Sequence, residues 1–87
     1  MNSDSLLQFP CEFPIKAMGR SGDDFPPLIV AIVSRHVPDW DANRLSVQSS
    51  RNGRFQSVTA TIQAHSKEQL DAIYQDLSAH EQVMVAL

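Results

Sequence analysis

The sequence is short of cysteine, of basic charge and of long apolar runs, and each shortage excludes a class of protein. Its single cysteine, Cys11, has no second thiol with which to form an internal disulfide or a metal-binding pair. This favours a reducing compartment. The longest apolar run, 28–33, is six residues, too short for the apolar part of a secretion signal or for a membrane span. We therefore expect a cytoplasmic protein with no membrane segment.

Basic residues are outnumbered by acidic ones. Seven Lys and Arg stand against ten Asp and Glu, which gives a net charge of −3 and a pI near 5.4. Binding to nucleic acid through the overall field needs clustered cations, so this balance argues against it. A local basic patch is still compatible with these numbers, because Arg44, Arg51 and Arg54 lie close together in the sequence.

The length and composition indicate one small folded domain. The 87 residues leave no room for a second domain, and 43% hydrophobic with 20% charged residues is typical of a globular chain. A domain of this size buries only about 60–65% of its unfolded surface, which predicts modest stability. Two prolines interrupt the start of the chain, so we expect a flexible lead-in over 1–11 and a single domain over 12–87.

The first half of the domain predicts a strand and then a helix. Apolar and polar residues alternate over 13–18, and Gly19 ends that strand. The run 28–33 suits a buried strand as well as a helix, since four of its six residues are β-branched. Its flanks favour a helix: Asp23 or Asp24 can cap it, and two prolines suit its first turn.

The second half predicts a hairpin, a helix and a last strand. Asn52-Gly53 is a strong signal for a two-residue type I′ turn between strands 45–50 and 55–64. If Arg51 pairs with Arg54, apolar residues meet apolar residues across that hairpin. Ser66 and Gln69 predict a capping box for an amphipathic helix, and alternation over 83–87 predicts the last strand.

The order strand, helix, strand, strand, helix, strand predicts an α+β fold, the ferredoxin-like βαββαβ plait. Both helices then cover one face of a four-stranded antiparallel sheet, and the other face is left open. Alternation assigns to that open face Lys16, Met18, Ser46, Gln48, Ser50, Phe55, Ser57, Thr59, Thr61, Met84 and Ala86. Such a mixed face either binds a partner or is simply solvated. Our candidates for partner binding are Lys16, Met18, Phe55, Ser57, Thr59 and Met84, with Arg44, Arg51 and Arg54 as a charged rim.

No catalytic or metal-binding constellation is present in the sequence. His36, His65 and His80 have no second histidine or cysteine at ligand spacing, and no nucleophile elbow surrounds Ser57. The acidic residues are better explained as caps and turn formers. The turn GRSGD resembles an anion site at a helix N-terminus, but its aspartates would repel an anion. We predict no enzyme activity, no cofactor and no metal.

RNA recognition motifs share the predicted plait and stack bases on aromatic residues of the third strand. In this sequence Phe55 falls at the first stacking position, whereas Ser57 and Ala60 fall at the second and last. The first strand offers only Lys16 and Met18. RNA binding is therefore the least favoured of the binding functions.

Several stretches resemble one bacterial family: LLQFPCEFPIKAMG near the start, RHVP after the first helix, GRFQSVTATI across the hairpin and EQLDAIYQDL in the second helix. With them the chain resembles the small YbeD-like proteins, a family of unknown function, over nearly all of 6–87. The resemblance implies the ferredoxin-like plait, similar to the ACT regulatory domains of amino-acid metabolism. It implies no catalytic residue. By analogy with ACT domains, a ligand would bind at the loop after strand one, at Gly19, Arg20, Ser21 and Gly22.

Two functions stay open at this point. The leading hypothesis is a non-enzymatic regulatory or protein-binding module that uses the open sheet face, with another protein or a second copy as its partner. The alternative is a small-ligand sensor of the ACT kind, for an amino acid or another metabolite.

Overall fold

The computed structural model describes residues 7–87 and has the predicted plait. Its elements are β1 (Cys11–Arg20), α1 (Phe25–His36), a short 3₁₀ helix (Ala42–Arg44), β2 (Leu45–Ser49), β3 (Phe55–Ala64), α2 (Lys67–Ala79) and β4 (Val85–Ala86). The antiparallel sheet has the order β2-β3-β1-β4. The predicted fold class is confirmed.

The core lies between the sheet and the two helices. All ten residues of β1 pair with β3, from Cys11 opposite Ala64 to Arg20 opposite Phe55. Every second residue is buried against the helices over 15–19 of β1 and 58–64 of β3. The fully buried members are Ile15, Ala17, Val58, Ala60, Ile62 and Ala64. The helices add Ile29, Ile32 and Val33 from α1 and Leu70, Ile73 and Leu77 from α2.

The run 28–33 is helical, as its flanks predicted, but the predicted acidic cap is wrong. Asp24 is the N-cap residue and makes no side-chain hydrogen bond to the helix. The N–H of Phe25 instead donates to the carbonyl of Gly22 at 3.3 Å, and Pro26 and Pro27 have no N–H to satisfy. The helix therefore begins without needing a capping carboxylate.

The start of α2 is capped by Ser66, whose Oγ accepts from the N–H of Gln69 at 3.1 Å. The returning half of the predicted capping box is displaced by one residue, since Gln69 Oε1 accepts from the N–H of His65 at 2.7 Å. Gln69 Nε2 also donates to the carbonyl of His36 at 3.0 Å. This side chain thus joins the start of α2 to the end of α1.

The hairpin has the predicted register but a different turn. Leu45 lies opposite Ala60 and Val47 opposite Val58, so that part of the prediction is confirmed. A type I′ turn needs positive φ at both central residues, and within 7–87 only Gly53 has one, at 75°. The side chain of Asn52 takes the place of a cross-strand acceptor for Arg54: its Oδ1 accepts from the N–H of Arg54 at 3.0 Å. Arg51 and Arg54 therefore lie in the loop and do not form the last cross-strand pair.

Alanine at position 53 is expected to reduce the free energy of unfolding by about 1–2 kcal/mol, since an L-residue pays roughly that amount in the left-handed region. No atom lies within 4 Å of a Cβ built on Gly53, so the cost is one of backbone conformation alone. Urea unfolding measures it. A cost of zero would mean that residue 53 does not hold this conformation in solution.

The N-terminal part of the chain departs from prediction at the strand boundary. β1 begins at Cys11, two residues before the predicted start, and Leu7 and Phe9 pack against the core. The first part of the predicted lead-in, 1–6, lies outside the described residues.

Tyr74 is the only tyrosine in the sequence and packs against the core from α2. Burial raises the pKa of Tyr74 above its usual value of 10.0. The folded protein then keeps the phenol proton to a higher pH than the unfolded chain does, so the free energy of unfolding falls as pH rises beyond the unfolded pKa. We expect the phenolate absorbance of the native protein to titrate above pH 10.0 and to shift down in urea. Equal midpoints in both conditions would contradict this placement.

Candidate functional site

The register of the sheet defines the face that the helices leave uncovered, here called the open face. Met18 lies opposite Ser57 and Lys16 opposite Thr59. Because successive side chains of a strand point to opposite faces, these residues point away from the buried Ile15 and Ala17. The open face comprises Glu12, Pro14, Lys16, Met18, Arg20, Ser46, Gln48, Phe55, Ser57, Thr59, Thr61, Gln63, Val85 and Leu87.

The predicted residues of the last strand, Met84 and Ala86, are assigned to the wrong face. Ala86 lies opposite the buried Ala17, and Val85 lies opposite Met18. The reason is a turn that precedes the strand: Val83 is buried there and donates its N–H to His80. The alternation begins anew after that turn, so its phase is inverted. Val85 thus replaces Met84 on the open face.

The predicted charged rim is divided between the two ends of the sheet. Arg44 precedes β2 and forms an ion pair with Glu12 of β1. Arg51 and Arg54 lie at the other end of β2, in the hairpin loop. Arg44 is therefore separated from them by the length of β2, although the three arginines are close in sequence.

Gly19 has a structural position, contrary to the prediction that it belongs to a ligand loop. It lies within β1 and is buried. A Cβ at this position would lie 2.5 Å from the carbonyl oxygen of Gln82 and 2.5 Å from a ring carbon of Phe25. Only glycine fits there. Arg20 is the last residue of β1, and extending the alternation by two residues would have placed it on the open face.

Ser21 and Gly22 form the beginning of the loop after β1, and hydrogen bonds join this loop to the start of β3. The N–H of Ser21 donates to the carbonyl of Arg54 at 2.8 Å, and the N–H of Gly22 donates to Gln56 Oε1 at 3.4 Å. The loop is thus held against the hairpin.

Three depressions surround this junction. The loop cleft, about 470 Å³, is lined by Arg20, Ser21, Gly22, Asp24, Phe25, Glu81, Gln82 and Met84. The arginine cleft, also about 470 Å³, is lined by Arg20, Ser21, Gly53, Arg54 and Phe55. The face groove, about 220 Å³, is lined by Met18, Gln48, Ser49, Ser50, Phe55, Gln56 and Ser57. Arg20, Ser21 and Phe55 each border two of the three, which makes this end of the sheet the candidate site.

The open face carries exposed apolar side chains as well as small hydroxyls. Met18 is 37% exposed, Val85 44% and Leu87 64%. Phe55 is half-buried at the hairpin end and is the aromatic residue that β3 contributes. Phe13 of β1 has the same phase as Ile15 and therefore faces the helices.

The charges of the sheet differ in sign from those of the whole protein. The four strands contain one acidic residue, Glu12, and it is paired with Arg44. Lys16 and Arg20 are the cations of the strands, and neither forms an ion pair within 7–87. Acidic residues lie instead on α2, in the α2–β4 turn and in the loops beside α1. The open face consequently carries two cations, Lys16 and Arg20, besides the Glu12–Arg44 ion pair, in a protein whose net charge is −3.

Two further side-chain contacts that the sequence did not indicate are structural. His36 Nε2 lies 2.5 Å from Asp76 Oδ2 and joins α1 to α2. Trp40 Nε1, which precedes β2, donates to the carbonyl of Thr61 in β3 at 2.8 Å. Among the described residues, no three His, Cys, Asp or Glu side chains lie close enough to share a metal ion. Neither helix in that range has the combined length and apolar character that a membrane span needs.

The comparisons with known proteins agree with one another. The family model described as "Protein of unknown function (DUF493)" matches residues 4–87. A UPF0250 protein of Nitrosomonas europaea is 47% identical over 87 residues, all of both chains. One of Paraburkholderia phytofirmans is 42% identical over 85 residues, 98% of this chain and 96% of the relative.

A solved structure shares the fold. The solution structure of protein HP0495 from H. pylori superposes with a TM-score of 0.74 and 19% sequence identity, covering 100% of this chain and 94% of the other. Together with the relatives, it confirms the resemblance seen in the sequence. The chain belongs to the DUF493 family, the UPF0250 or YbeD-like proteins of bacteria, a family of unknown function.

Proposed function

We propose that this protein is a non-enzymatic, cytoplasmic protein-binding module whose open face binds an acidic segment of another protein. The observation that supports this most is the combination on one face of exposed apolar side chains with Lys16 and Arg20, which form no ion pair with any residue of 7–87. Apolar contact supplies the affinity of such an interface, and charge complementarity supplies its specificity and rate of association.

The sign of the charge selects among partners. Two copies that met through this face would bring four such cations into one interface, where the acidic residue of the strands, Glu12, is already paired with Arg44. An acidic partner gains from both cations and still covers Met18 and Val85. We therefore assign the face to another protein in preference to a second copy.

Affinity purification with matched baits tests the proposal. One bait carries Met18→Ala, Phe55→Ala and Val85→Ala on the open face. Its control carries Val47→Ala and Met84→Ala, which remove exposed apolar side chains outside that face. We expect the open-face variant to lose partners that the wild type and the control retain. A charge reversal, Lys16→Glu with Arg20→Glu, should lose the same partners. Identical partner lists from all baits would exclude the open face.

A second candidate function, the sensing of a small ligand, is favoured by the loop cleft. Arg20 lines that cleft together with Asp24 and Glu81, which supply the opposite charge, and Met84 adds an apolar side chain. Such walls suit a zwitterion such as an amino acid. A bound ligand would raise the melting temperature in a concentration-dependent way, and Glu81→Gln should reduce the shift. A flat thermal-shift panel of amino acids would remove this candidate.

A further inference from the structure

We infer that the arginine cleft binds a carboxylate of the partner's acidic segment, so that Arg20 and Arg54 act as one anion-binding pair. This inference rests on the proposed function, because it names the chemical group that the partner presents at one end of the open face. Both arginines line the same cleft, and no acidic side chain lines it. Within 7–87 neither arginine forms an ion pair.

Backbone hydrogen bonds hold the two arginines in place relative to each other. Arg20 ends β1 opposite Phe55, and Arg54 directly precedes Phe55. The carbonyl of Arg54 accepts from the N–H of Ser21 at 2.8 Å, and its own N–H donates to Asn52 Oδ1 at 3.0 Å. Gly53 adds no side chain to the cleft. The backbone positions that present two guanidinium groups are thus fixed before any partner binds.

The neighbouring face groove indicates what stands beside the carboxylate. Phe55 borders both depressions, and Met18 lies in the groove. A segment that places an acidic residue between the arginines can therefore place an apolar side chain against Phe55 and Met18. Guanidinium groups suit this role, since their planar donors match the two oxygens of a carboxylate.

Phosphates of a nucleic acid also bind arginine, but the rest of the surface does not favour them. The net charge is −3, and Phe55 is the open-face aromatic on which a base could stack. Nucleic-acid grooves combine a track of cations with several aromatic side chains. The observations therefore favour a carboxylate of a protein.

Amide NMR titrations test the assignment with two probes. One is a short acetylated peptide in which Glu and Leu alternate, and the other is an oligothymidylate of the same net charge. The proteins are the wild type, the double variant Arg20→Gln with Arg54→Gln, and the control Arg51→Gln, which removes a neighbouring hairpin arginine that does not line the cleft. We expect the peptide to shift the amides of Ser21, Gly53 and Phe55 saturably in the wild type and in the control. The double variant should bind it roughly tenfold more weakly, as expected for the loss of two charge-assisted contacts.

Equal peptide affinity in the double variant, or an equal loss in Arg51→Gln, would overturn the inference. Tighter binding of the oligothymidylate would overturn the choice of carboxylate. The inference and the proposed function can fail independently. If partners are lost with the apolar open-face variant but retained by Arg20→Gln with Arg54→Gln, the open face binds partners and the arginine cleft does not contribute. If the peptide still shifts the amides of the cleft but affinity purification finds no partner that depends on the open face, the cleft binds a carboxylate and the proposed function is wrong.

Discussion

Alanine at position 19 is expected to lower the free energy of unfolding by about 3 kcal/mol or more, at or beyond the upper end of ordinary overpacking. The added Cβ would lie 2.5 Å from the carbonyl oxygen of Gln82 and 2.5 and 2.7 Å from two ring carbons of Phe25. The carbonyl belongs to the backbone and cannot rotate away. Phe25 is 2% exposed and has no room to move within the core.

Urea unfolding at constant pH measures this effect, and Gly22→Ala provides the control. Gly22 lies three residues further along, and no atom stands within 4 Å of a Cβ built there. Its substitution should change the free energy of unfolding by no more than about 0.5 kcal/mol. Similar costs for both variants would show that β1 does not pack against Phe25 and the α2–β4 turn as described.

Alanine in place of Ile15 is expected to cost about 2–5 kcal/mol, the usual range for truncating a buried isoleucine. Ile15 is fully buried between the sheet and the helices, opposite Ala60. Its truncation leaves a cavity in the small core of an 87-residue chain, so few other contacts can offset the lost free energy. Lys16, the next residue, lies on the open face and is exposed.

Comparing Ile15→Ala with Lys16→Ala therefore tests which side chains of β1 point toward the helices and which point to the open face. Lys16→Ala should change the free energy of unfolding by no more than about 0.5 kcal/mol, while Ile15→Ala should move the urea midpoint strongly downward. A reversed order would mean that the strand presents its other face to the helices, and every residue assigned to the open face would then be wrong.

The sequence was sufficient where a structure depends on local pattern. The alternation of β1 and β3, the flanks of the run 28–33 and the hairpin register all have the same cause, which is that a buried face must be apolar at a fixed period. A slip of one residue would expose Val58 and Ala60. The order of elements and the open face of the central strands follow from those patterns.

The sequence was insufficient where a position depends on residues far along the chain. Gly19 was read as the end of a strand because nothing local shows that Phe25 and the carbonyl of Gln82 occupy the space of its Cβ. Arg44 was grouped with Arg51 because they are close in sequence, whereas β2 separates them. The inverted phase of β4 follows from a turn at Val83, which alternation alone cannot distinguish from a strand.

The candidate site was predicted in part for the same reasons. The open-face positions of Met18, Phe55 and Ser57 follow from alternation. The position of Arg20 beside Arg54 depends on the full length of the β1–β3 ladder and on the hydrogen bond from Ser21 to Arg54. Those contacts join the loop after β1 to the hairpin loop, and no local pattern encodes them.

Photo-crosslinking tests the central claim most directly, because it reports what touches the open face inside the cell. A photoreactive residue is placed at position 18, on that face, and in a separate protein at position 47, which is exposed on the other side of the sheet. We predict that position 18 crosslinks a partner through an acidic segment and that position 47 does not. Crosslinks that are the same at both positions, or that from position 18 reach only a second copy of this chain, would contradict the claim.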